Sequence, residues 1–174
     1  MDNPFEFHEE DTIIACVGDN GGTTDDDIRN GFKRTVEILI KSLKVSHEVE
    51  DWLVYPIVYN ARHSIELSLK IVIKMLWELE RKKKISHSDE FIAERKKKLH
   101  THNIEELYKM ACENKNIDRR VSAYFENVED LISFYYFDKE GDAFKYELNK
   151  DDQPHMIKNQ ISHISIELLE TEFK

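Results

Sequence analysis

The stretch from Trp52 to Lys84 constrains this chain more than any other. Val58, Ala61, Ile65, Leu69, Val72, Leu76 and Leu79 recur at three- and four-residue steps, while Ile57, Leu67, Ile71, Ile73 and Met75 add apolar cover on other sides. Such a pattern predicts a long helix running to about Lys84, apolar on most sides and central to its domain. Pro56 suits its first turn or forces a kink there. Only five Gly and three Pro occur in 174 residues, too little turn chemistry for a many-stranded protein. The length fits one core, and 40% hydrophobic with 34% charged residues fits a folded domain with a well-solvated surface.

Further helices follow from the same reading. Thr23-Thr24-Asp25-Asp26-Asp27 supplies caps and negative charge for a helix over 25–45, buried through Ile28, Phe32, Val36, Leu39 and Leu43. His102 or Asn103 caps a third, carrying Ile104, Leu107, Tyr108 and Ala111 and ending near Asn116. A fourth, over 118–136, buries Val121, Phe125, Val128, Leu131, Ile132 and Tyr135. Residues 85–100 alternate charge and read as a solvated connection, partly helical, and residues 138–142 read as a turn. Residues 143–148 alternate as an extended segment does. A last helix after Pro154 is expected to bury Ile157, Ile161, Ile164 and Leu168. The expected architecture is all-α: an up-and-down bundle of about five helices with a short extended segment near 143–148, preceded by an N-terminal arm over 1–24.

The start of the chain lacks the basic and apolar regions of a signal peptide, and no apolar run approaches the ~18 residues of a membrane span. A cytoplasmic protein with no membrane association is expected. Cys16 and Cys112 are far apart and read as reduced packing residues. The formal charge of -10 argues against a surface that attracts nucleic acid overall. Its distribution is uneven. Between Arg81 and His102, eight Lys/Arg stand against three acids, a local +5 that leaves -15 for the rest. Within it Arg81, Lys82, Lys83, Lys84, Lys96, Lys97 and Lys98 are the candidates for RNA phosphate contacts, with a solvated helix end and loop as the structural alternative.

Chemistry concentrates on the central helix. Arg62, Glu66 and Lys70 are spaced four apart and His63 lies three before Glu66, so all share one stripe of an otherwise apolar helix. Burying such groups is costly unless they pair or face a cleft. The stripe is therefore an internal network, led by Glu66 and Lys70, or the floor of a site. His100 and His102 flank the third helix's start, as capping groups or as an acid–base pair. No metal or other cofactor is expected: His100 and His102 with a distant His63 lack a ligand pattern, and the three adjacent Asp are scattered by helical spacing.

Three segments in order, Ala61-Arg62-His63-Ser64-Ile65-Glu66-Leu67-Ser68-Leu69-Lys70, His102-Asn103-Ile104-Glu105-Glu106-Leu107 and Gly141-Asp142-Ala143-Phe144-Lys145-Tyr146, together resemble the HEPN superfamily of prokaryotic helical domains. The resemblance covers roughly residues 50–148, and its specificity lies in the order and spacing of the three. It implies a HEPN-like helical domain over 25–174 that homodimerises, works with a protein partner in antiviral defence or a toxin–antitoxin system, and in many members cleaves RNA without metal. Active members use an R-x(4–6)-H pair across a dimer cleft, the Arg steadying phosphate charge and the His serving the 2′-hydroxyl or leaving oxygen. Here the late helices hold no such pair, since Arg119 and Arg120 are followed by Tyr124 without a His. If the chain cuts RNA, Arg62, His63, His102 and Lys145 are the residues expected to converge, with Arg95 and His100 as the alternative pair. The resemblance also admits a non-catalytic sensor, antitoxin or assembly subunit.

Overall fold

Helix α2, Asp51–Lys82, is the long element that the apolar periodicity predicts. Pro56 stands in its second turn, where it cannot donate to the carbonyl of Trp52, and Asn60 Nδ2 donates to the Pro56 carbonyl at 2.6 Å. The computed structural model describes residues 12, 13, 15–18, 21–46 and 51–173. Most of the expected arm over 1–24 thus lies outside the described residues.

Helix α1, Asp25–Ser46, runs antiparallel to α2: Asp25 pairs with Lys74, Phe32 meets His63 edge-on, and Val36, Ile40 and Leu43 pack on Ile57 and Ala61. Val58, Leu69, Ile73 and Leu76 point away from α1, into a larger cluster with α4, Ile104–Glu113, and α5, Arg119–Ser133. Helix α2 therefore feeds two apolar clusters. Burying each such side chain contributes roughly 1.5–3 kcal/mol. Asn103 caps α4 by accepting from the N–H groups of Glu105 and Glu106, and Asp118 caps α5 through Arg120. A 3-10 turn, Lys115–Ile117, joins the two.

The chain is all-α, but three expectations need correction. Among the described residues there are seven α-helices and one 3-10 turn, where about five helices were predicted. One added element is α3, Asp89–Lys98. Its residues are all at least partly exposed, but Ser88 caps it, Asp89 and Glu90 open it and Arg95 to Lys98 close it, so charge suits its dipole at both ends.

Residues 143–148 form no strand. Lys145 and Tyr146 donate backbone N–H groups to the Asp142 carbonyl, making a turn, and Leu148 forms a single antiparallel bridge with Pro154. A lone alternating segment with no sheet beside it satisfies its backbone in a turn instead.

The predicted last helix is broken in two, α6 at His155–Lys158 and α7 at Ile166–Phe173. Gln160 takes a left-handed conformation at φ 55°, with Ile161 N–H bonding back to Met156 O and Gln160 N–H to Ile157 O, a Schellman stop. Ile157 and Leu168, expected in the core, are 75% and 63% exposed. No described helix is long and apolar enough to cross a membrane.

Candidate functional site

Arg62 leaves α2 toward the junction of the α4 lead-in and the turn after α5, and is 2% exposed. Its Nη2 donates to the carbonyls of His102 and Asp138 at 2.6 and 2.8 Å. Nε lies 2.9 Å from Asp138 Oδ2 and Nη1 lies 3.3 Å from Glu66 Oε2. The other Asp138 oxygen accepts from the N–H groups of Asp142 and Ala143, so one carboxylate closes the turn and holds the guanidinium. Gly141 covers the face of that guanidinium: at φ 73°, a Cβ built there would stand 2.7 Å from Arg62 Nη1.

Glu66 is the hub on the outer side. Its Oε1 accepts from Lys70 Nζ at 2.8 Å and meets His102 Nδ1 at 2.9 Å, while His63 Nδ1 is 3.8 Å from Oε2. Burial pushes the Glu66 carboxyl up, but the His63 ring, the Lys70 ammonium and the charge of His102 outweigh it and hold the group at about 2. An ionised carboxylate can only accept, so His102 Nδ1 is the donor in this contact. With two cations (Arg62, Lys70) on two carboxylates (Glu66, Asp138), the buried charges balance.

Of the residues expected to converge, Arg62, His63 and His102 surround Glu66, and Lys145 reaches the group indirectly. Its Nζ sits 5.0 Å from the Tyr59 ring centroid, and Tyr59 stacks on His63 at 5.9 Å. His63 is half-buried, while the side chains of His102 and Lys145 face solvent. Arg62 lies beneath them, buried against protein acceptors.

The alternative pair is not assembled in the same way. Arg95 Nη1 and Nη2 grip the buried Glu80 at 2.7 and 3.3 Å, and its guanidinium lies over the rings of Trp77 and Phe91. His100 is exposed. In the basic run, Arg81 pairs with Glu78, Lys98 with Glu94, and Lys83 donates to the Ile117 carbonyl, while Lys82, Lys84, Lys96 and Lys97 are exposed. Among the described residues no group of three or more His, Cys, Asp or Glu is placed to hold a metal.

Sequence reasoning missed Asp138, Gly141 and the Glu80–Arg95 clamp. An Asp three residues before a Gly, just upstream of Phe144-Lys145-Tyr146, was the available signal for the first two. No family model, curated protein or solved structure matches the chain.

Proposed function

We propose that this chain is a HEPN-like domain of a prokaryotic defence or toxin–antitoxin system, acting as a non-catalytic sensor, antitoxin or assembly subunit. The three ordered motifs support the family. The burial of Arg62 supports the lack of catalysis. A cation that is to steady a phosphoryl group must present N–H donors to it, and this buried guanidinium donates to two carbonyls and to Glu66 and lies against the Asp138 carboxylate. In this reading the stripe on α2 is the brace that fixes the α4 lead-in and the 138–143 turn against the central helix. The active unit is a homodimer in the cytoplasm, and a monomeric mass by light scattering at tens of micromolar would contradict that part.

A second reading, a metal-independent endoribonuclease toxin, draws on His102. Its ring is 61% exposed and oriented by a buried carboxylate, as a general base requires, and Lys145 and the exposed lysines of 82–97 offer phosphate contacts. Labelled tRNA and mRNA incubated in EDTA with the wild type and with a His63→Ala/His102→Ala variant separate the two. No cleavage by either protein is expected. Cleavage by the wild type that the double variant loses would establish the nuclease reading.

A further inference from the structure

Between α2, α5 and residues 161–173 lies an apolar groove of ≈ 890 Å³, floored by Leu69, Phe125 and Ile132. That volume falls within the ~300–1,000 Å³ of ligand-binding clefts. Tyr124, Phe134 and Leu168 also line it and are exposed, so apolar surface continues from the floor out to solvent. On the α2 wall the hydroxyls of Ser64 and Ser68 donate to the carbonyls of Ala61 and Ser64 in their own helix, at 2.8 and 2.7 Å. That wall suits a hydrocarbon, which brings no amide to satisfy, better than an extended peptide.

Charge at the edge of the groove is one-sided. The chain carries 35 Asp and Glu against 25 Lys and Arg, yet no described acid lines this groove, whereas Arg29, Lys33 and His163 do. Arg29 and Lys33 stand one helical turn apart on the same face of α1. Arg29 is held by Asp26 at 2.9 Å. Lys33 is exposed and has no ion-pair partner among the described residues, which leaves its ammonium available to an anion.

We propose that this groove binds a single-chain amphiphile with an anionic head, of which a fatty carboxylate is the simplest, its tail along Leu69, Phe125 and Ile132 and its head on Lys33 beside Arg29. The tail loses its contact with water on the apolar floor, and the carboxylate accepts a charge-assisted hydrogen bond from the ammonium at the edge. Arg62, Glu66 and His102 do not line the groove, so the proposal stands apart from whether the chain cleaves RNA.

Isothermal titration of the full chain with decanoate at neutral pH, below its micelle-forming concentration, tests this. One decanoate per chain should bind saturably, and more tightly than butyrate by about 100-fold or more, because the longer tail buries more methylenes. Lys33→Glu should weaken decanoate by about 10-fold or more, the worth of a hydrogen bond to a charged group, and leave 1-decanol unchanged. The same variant should bind decyltrimethylammonium more tightly than the wild type does. Leu168→Gln, at an exposed position, should weaken decanoate and decanol alike. No saturable decanoate binding up to about 1 mM, or equal losses of decanoate and decanol in Lys33→Glu, would overturn the proposal. So would several decanoates per chain bound regardless of Leu168→Gln, which is adsorption to the surface at large. An affinity that falls as protein concentration rises would overturn it too, and would assign the groove to a second copy of the chain.

Discussion

The guanidinium of Arg62 meets Asp138 twice, Nε at 2.9 Å from the side-chain Oδ2 and Nη2 at 2.8 Å from the backbone carbonyl. One buried cation thus fixes both the side chain and the main chain of a turn that lies far away in sequence. Arg62→Lys keeps the charge but loses the planar fork that serves four acceptors. It should destabilise the fold by about 3–5 kcal/mol, as expected when a buried ion pair is broken. Urea unfolding measures this, and a midpoint equal to that of the wild type would refute the bracing role.

Gly141→Ala should cost about 1–3 kcal/mol from its left-handed backbone alone, with more from the Cβ driven onto Arg62 Nη1. Thermal melting of the single variants and of Arg62→Ala/Gly141→Ala separates the two parts. With the guanidinium gone only the backbone part remains, so the double variant should be more stable than the summed losses imply.

Glu66 makes stability depend on acid. Its folded-state value of about 2 lies below the usual carboxylate value of 4.5, so the folded protein holds this proton less tightly than the unfolded chain does. The stabilisation is complete above pH 4.5 and is lost as pH falls toward about 2. Glu66→Gln should flatten that limb of a stability-against-pH curve while lowering stability at neutral pH. An unchanged acid limb in the variant would place its origin in other carboxylates.

Helix α3 has no buried residue, so Arg95 is its principal attachment to α2. Arg95→Ala should free the helix and speed tryptic cleavage at Lys96, Lys97 and Lys98 severalfold, with a smaller change in global unfolding. Cleavage at the wild-type rate would show that the clamp on Glu80 does not hold α3 in place.

Where the sequence was legible, the signal was local. The apolar steps along α2, the Asn103 cap and the i, i+4 relations of Arg62, Glu66 and Lys70 all act within a turn or two, and each can be read from neighbours. What escaped depends on distance or on backbone. The carbonyls of His102 and Asp138 resemble every other carbonyl in the chain, so nothing in the sequence marks them as the acceptors for Arg62. The stop at Gln160 is a left-handed turn without glycine, which leaves no compositional trace. Residues 143–148 alternate as a strand does, but with no sheet beside them among the described residues they take a turn. Helix α3 lacks the apolar stripe by which helices are usually found. Its caps and terminal charges were present, but the segment reads only as a partly helical, solvated connection.

The reach of Arg62 also sets an order in time. Its acceptors at His102 and Asp138 are made 40 and 76 residues after it. At a synthesis rate of ~5–20 residues per second, the nascent helix carries this cation with Glu66 as its only carboxylate partner for roughly 4–15 s before the last acceptor exists. Helices α1 and α2 can pair early through Val36, Ile40, Ile57 and Ala61, and α4 and α5 can follow on the other side of α2, but the Arg62 site closes only when the turn at Asp138 leaves the ribosome.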